Sequence, residues 1–194
     1  MCANFEALYP LVLLQEYFAL SVLPKETSTN KSVRPTDEPV VISSKAHALS
    51  MYWGLKTAWS DKPLINARTE TLFEKPTFQT LYNNRCLVPA SAWFEWRKDD
   101  GEKYKNRISI KNNPLFAMAA IYQNNRFCIL TCPANDQVTH IHHRMPVILK
   151  PDDYQDWLDP NIETQQLVNL FSQPNDFTFD WQEDVPAQVQ LKLF

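Results

Sequence analysis

Runs of β-branched and aromatic residues, broken by short polar stretches, dominate the chain. Strands are predicted at residues 40–43 (VVIS), 47–55, 86–96, 106–111, 115–122, 127–132 and 146–150. Helical spacing of apolar positions is rarer. Residues 5–20 read as one amphipathic helix whose first turn is limited by Pro10. Pro76 suits the first turn of a helix running to about Asn84. Residues 152–158 and 163–171 read as two further helices with Trp157 and Leu167 turned inward. Residues 24–39 (PKETSTNKSVRPTDEP) are polar and proline-bearing and read as a loop. Strands outnumber helices and do not alternate with them, and there is no internal repeat. The pattern predicts an α+β fold, with a mainly antiparallel, barrel-like sheet and flanking helices.

The length of 194 residues sets one domain over residues 1–194, and 44% apolar residues with six Trp and eleven Phe can fill a core. The only glycines, Gly54 and Gly101, leave no glycine-rich phosphate loop, so no nucleotide cofactor is expected. A net charge of −3 means that any nucleic-acid contact needs a local basic patch. The apolar stretch within residues 5–23 is short and interrupted by Glu6, Pro10 and Glu16, which excludes a signal peptide and a membrane span. Cys2, Cys86, Cys128 and Cys132 are then expected as reduced thiols of a cytoplasmic protein, nucleoid-associated when acting on DNA. A zinc reading would combine Cys128 and Cys132 with His140, His142 and His143, but the spacing fits no common finger, and no metal is expected.

The candidate chemistry begins at Met1-Cys2. Cysteine is small enough for the methionine before it to be removed, which would leave an α-amine and a thiol on adjacent carbons. Such a 1,2-aminothiol condenses with an aldehyde to an imine and closes to a five-membered thiazolidine. An α-amine titrates near ~7.8 and a lysine near ~10.4, so the terminal amine holds roughly a few hundred times more free base at neutral pH. The thiol, near ~8.5, would ionise readily beside a cation. Asn66 and Arg68 stand two apart and share a side of an extended segment, an amide to orient a reacting group and a guanidinium to grip a phosphate. In AWFEWR (92–97), Trp93, Glu95 and Arg97 share one face, and aromatic neighbours should desolvate Glu95 and raise its pKa toward neutrality. The stretch IHHRMP (141–146) offers a histidine acid/base and the Arg144 cation.

The motifs WGL (53–55), INARTET (65–71), EKPTF (74–78), RCLVPASAWFEW (85–96), FAMAAIY (116–122), ILT (129–131) and IHHRMPVIL (141–149) resemble the SOS-response-associated peptidase family. The likeness is closest over residues 34–150 and takes in Met1-Cys2. It implies a compact α+β fold on a strongly curved antiparallel sheet. It also implies covalent crosslinking to abasic sites in single-stranded DNA through a mature N-terminal cysteine. On this resemblance Cys2 is the nucleophile, Asn66 positions its amine, Glu95 handles protons, and His142 is the second acid/base. Arg68 and Arg144 become phosphate contacts, Trp59 meets the bases, and Thr131 lines the site. The chain departs from the family at Ala3-Asn4, where Gly-Arg is usual, in a short loop retaining Arg34-Pro35-Thr36, and in the divergent tail 160–194.

The expected partner is single-stranded DNA carrying abasic sites, bound by a monomer. A weak strand-cleaving lyase reaction follows if the imine drives β-elimination before the ring closes. Two other readings stay open on sequence. One is a cysteine peptidase using Cys2, His142 and Glu95. The other is a non-catalytic single-strand binder that would tolerate loss of the Cys2 thiol.

Overall fold

Phe5, Glu6 and Ala7 form a strand rather than the start of a helix. In the computed structural model, which describes residues 2–23, 30–44, 47–171 and 177–184, the strands follow one another in this order. They are β1 (Phe5–Ala7), β2 (Asn30–Val33), β3 (Val40–Ser44), β4 (His47–Ser50), β5 (Tyr52–Trp53), β6 (Leu55–Thr57), β7 (Ser60–Leu64), β8 (Asn66–Arg68), β9 (Arg85–Ala90), β10 (Ala92–Asp99), β11 (Glu102–Ile110), β12 (Phe116–Gln123), β13 (Arg126–Pro133), β14 (Arg144–Pro146), β15 (Ile148–Leu149) and β16 (Phe179–Asp184). The α-helices are short: α1 (Leu11–Tyr17), α2 (Pro76–Gln79) and α3 (Tyr154–Leu158).

Pro10 supplies the cap of α1, so the expected 5–20 helix keeps only its middle, while Phe5 and Glu6 pair with Trp93 and Ala92. Long-range pairing outweighs local helical spacing there. Part of the expected 24–39 loop is strand β2, and its residues 24–29 lie outside the described residues. The expected helix from Pro76 stops at Gln79, and residues 164–170 form a 3₁₀ helix. Trp157 and Leu167 are buried, as their spacing implied.

One sheet has five strands in the order β16-β11-β10-β1-β2. A second has nine and runs β14-β13-β12-β9-β3-β4, with β15 on β12 and with β5 and β8 on β13; β6 and β7 form a separate hairpin. Pairing is antiparallel except where β5 and β8 run parallel to β13. The expected barrel does not close. The predicted 86–96 strand breaks at Ser91, whose N–H turns to the Glu6 carbonyl at 2.8 Å, so β9 stays in the larger sheet and β10 enters the smaller. The result is two curved, open sheets.

The core lies between them. Trp93 meets Phe116 of β12 and Phe179 of β16 edge-on, with centroids 5.9 and 5.5 Å away. Trp53 stacks parallel to Phe127 at 6.3 Å, touches Phe5 at 5.1 Å, and donates its indole N–H to the Ile65 carbonyl at 3.0 Å. Truncating such a fully buried indole costs about 3–5 kcal/mol. Gly54 follows at φ +118°, and a Cβ there would stand 2.6 Å from the Pro63 Cβ. Only glycine lets β7 approach this closely, which sets the β6–β7 hairpin and leads the chain into β8.

The C-terminal region is fastened through Arg85. Its guanidinium donates to the carbonyls of Trp157 (2.6 Å) and Asp159 (2.5 Å) and to the Thr164 hydroxyl (2.7 Å), and it lies over the Trp157 ring. Among the described residues no helix is long and apolar enough to cross a membrane.

Candidate functional site

The site is built where the segment before β1 enters between the sheets. The Asn4 carbonyl accepts from the Phe94 N–H at 3.0 Å, so the chain continues the β1–β10 pairing outward to Cys2. Cys2 is fully buried, and its Sγ lies 3.6 Å from the Asn4 carbonyl oxygen. Burial pushes the thiol well above its usual range, and the nearby Glu95 charge pushes the same way. The sequence reading let this thiol ionise beside a cation; the interior it occupies, with a carboxyl group beside it, keeps it protonated.

Glu95 projects from β10 on the same face as Trp93 and is 2% exposed. Burial raises its pKa from 4.5 to about 7. It can therefore give or take a proton at neutral pH, as its aromatic surroundings implied. Arg97, on the same face, is held by Glu183 and Asp99.

Asn66 enters from the other sheet on β8, where parallel pairing sets it opposite Ile129. Its Nδ2 donates to the Cys2 backbone carbonyl at 2.7 Å. Its Oδ1 is buried and meets no donor among the described residues. Asn66 is buried and Arg68 is exposed, because β8 ends at Arg68.

Thr131 and the 142–144 stretch complete this side. Thr131 is fully buried on β13, paired with Pro146. Its carbonyl accepts from Arg144 Nη2 at 2.6 Å and from the Thr69 hydroxyl at 3.2 Å. Arg144, expected as an open phosphate contact, is 7% exposed and grips both carboxylate oxygens of Glu70. Those hydrogen bonds hold the Glu70 carboxyl down at about 2. The Arg144 backbone N–H donates to His142 Nδ1 at 2.9 Å. The same Nδ1 lies 3.1 Å from the Arg144 carbonyl oxygen, so this backbone can receive the ring with its proton on either nitrogen. Burial lowers the His142 pKa, and its ring stacks on His143 at 4.4 Å.

The structure brings Cys2, Asn66 and Glu95 into one interior cluster and links Thr131, Arg144 and His142 to one another beside Asn66's strand. Arg68 and Trp59 lie outside it. Trp59 is 69% exposed at the turn of the β6–β7 hairpin, which also carries exposed Lys56 and Lys62. A groove of about 610 Å³ runs past Thr69, Glu70, Phe73 and Asn135. Sequence reasoning missed the Glu70–Arg144 pair, whose partners are 74 residues apart. It also missed Asn106 and Glu183, which pair in register beside Glu95. A polar residue in the alternating YKNRISI run was the available signal for Asn106.

The family model for the SOS response associated peptidase (SRAP) matches residues 1–190. The chain is similar to the abasic site processing protein YoqW of Bacillus subtilis (strain 168), with 31% identity over 197 residues covering 91% of this chain and 88% of that one. It is also similar to the abasic site processing protein YedK of Escherichia coli (strain K12), with 30% identity over 152 residues covering 72% and 68%. A crystal structure of a protein from Bacteroides thetaiotaomicron shares the fold, with a TM-score of 0.82 at 24% identity over 97% of this chain and 94% of that one.

Proposed function

This chain belongs to the SOS response associated peptidase (SRAP) family, and from that membership we propose that it processes abasic sites in DNA by crosslinking to them through Cys2. The relatives' shared name, abasic site processing protein, supports the substrate. The observation that carries the chemistry is the convergence of Cys2, Asn66 and Glu95. A buried thiol stands beside a carboxyl titrating near 7, and an amide fixes the backbone of that same residue.

The reaction runs as follows. With Met1 removed, the Cys2 α-amine donates to the waiting Asn66 Oδ1. His142 gives a ring proton to the ring oxygen of the abasic sugar, and the C1′ hydroxyl returns one to it through water, so the sugar opens to the aldehyde and the imidazole ends as it began. The amine attacks C1′, and Glu95 in its acid form protonates the departing hydroxyl, so one water leaves and an imine remains. The Cys2 thiol is too basic to exist free as a thiolate. It passes its proton to the Glu95 carboxylate as sulfur attacks the imine carbon, and the nitrogen ends protonated in a closed thiazolidine. If ring closure fails, the imine drains into β-elimination, a minor lyase route.

Exposed Trp59 and Arg68, with Lys56 and Lys62, supply a stacking face and cations for a single strand. The protein acts as a monomer. A peptidase reading needs a thiolate activated by histidine, and the neutral Cys2 thiol beside Glu95 weighs against it.

The test is intact mass after mixing the protein with an abasic single-stranded oligonucleotide. The expected adduct weighs one water less than the summed masses of Met1-free protein and DNA. No adduct, or one of unreduced summed mass, overturns the reading.

A further inference from the structure

Glu95, Asn106 and Glu183 form a row across three strands. Glu95 of β10 is directly opposite Asn106 of β11, and Asn106 is directly opposite Glu183 of β16. Opposed residues share a face, with Cβ atoms about 5 Å apart. Asn106 is 1% exposed. Its Nδ2 donates to the Tyr104 carbonyl at 3.1 Å and to Glu183 Oε2 at 3.0 Å, which uses both amide hydrogens. Glu183 is itself fixed, because Arg97 grips its two oxygens at 2.8 and 3.0 Å and stacks on the Tyr104 ring at 4.7 Å. Flipping the amide would set the Asn106 oxygen against a carboxylate and a carbonyl. The capacity left to Asn106 is acceptance at Oδ1.

Resting on the crosslinking reading above, we propose that Asn106, oriented by Glu183 and Arg97, is a positioning residue that keeps Glu95 in its acid form by accepting its hydrogen at Oδ1. A carboxylate has no hydrogen to offer that oxygen, so the row favours the acid form. This form protonates the hydroxyl leaving from the Cys2 adduct once its hydrogen turns from Asn106 to that oxygen. The chain's terminal amine faces Glu95 and favours its charged form, opposing the row. The Cys2 thiol comes from the segment before β1. Asn106 comes from β11, with Glu183 of β16 and Arg97 of β10 behind it. The nine-stranded sheet contributes His142 and the Arg144–Glu70 pair to the same site. Glu183 gives the divergent tail a part in the chemistry.

The test is the pH dependence of the crosslinking rate for the wild type and for Glu95→Gln, Asn106→Leu and Glu183→Gln. Glu95→Gln identifies the limb due to Glu95 by removing it. Asn106→Leu is expected to move that limb at least about half a pH unit lower, a roughly threefold change in proton affinity. Glu183→Gln, which frees the amide to turn, should move it the same way by less. If Asn106→Leu does not fold, Glu183→Gln carries the test. A limb that stays in place, or rises, in folded variants overturns the proposal. Should the wild type make no crosslink at all, the functional reading fails separately. Carbon-13 titration of the Glu95 carboxyl in wild type and variants then decides by the same shift.

Discussion

The Asn66 side chain holds the Cys2 carbonyl at 2.7 Å with its nitrogen, while the oxygen of the same amide is buried without a donor among the described residues. A buried acceptor left empty costs about 1–3 kcal/mol, and the α-amine of a mature Cys2 is the donor of matching size. A permanent extension before Cys2 is therefore expected to abolish crosslinking. Asn66→Ala should slow it by roughly tenfold or more through loss of orientation. Full crosslinking by the extended protein, followed on a denaturing gel, would remove the amine from the mechanism.

Cys2→Ala keeps the amine and loses the ring-closing sulfur. The stable adduct should disappear, and borohydride should trap a reducible one in its place. Neither product from folded protein would mean that the amine does not attack the sugar.

Glu95 should cost the fold stability at alkaline pH. Its carboxyl is raised by burial from 4.5 to about 7, so the folded state holds the proton more tightly than the unfolded state. The stability this contributes is complete below about 4.5, declines as pH rises toward 7, and is gone above it. Glu95→Gln should be more stable than the wild type at pH 8 by about 3 kcal/mol, with the gap closing near pH 4.5, while crosslinking slows on any aldehyde. Urea unfolding at pH 5 and pH 8 measures this. A deficit of equal size at both values would make Glu95 a packing residue.

His142 is assigned to ring opening. His142→Ala should slow reaction with the natural abasic sugar and act much less on an acyclic aldehyde, which has no ring to open. Equal defects on the two substrates would merge His142 and Glu95 into one coupled relay.

Arg144 reaches a phosphate only if Glu70 lets go of it. Glu70→Gln should raise affinity for undamaged single-stranded DNA and steepen the log–log salt slope by about 0.7, one contact. Arg68→Ala should flatten the slope by the same amount. Filter binding across a salt series reads both. An unchanged slope in Glu70→Gln would leave Arg144 as a support for His142 alone.

Legibility followed the range of the interactions. The face of β10 that carries Trp93 and Glu95, and the desolvation of that carboxyl, were readable because strand alternation is local. Strands β12 and β13 fell within about a residue of expectation for the same reason. The Phe5–Ala7 strand was misread as helix because its partners, Val33 and Trp93, are far along the chain and its own spacing permits either. Arg144 looked like a free cation because the residue that neutralises it lies 74 positions earlier. Asn106 and Glu183 gain meaning only once β11 and β16 are aligned with β10.

Strand β1 lies inside its sheet, hydrogen-bonded to β10 on one side and β2 on the other. DNA joined at Cys2 would hang from that strand three residues before Phe5. Tension on the DNA would load β1 in shear against two neighbours at once, with no free edge to peel. The joint would resist a translocating motor until the sheet itself gave way, so clearing the adduct would call for unfolding or digesting the whole protein.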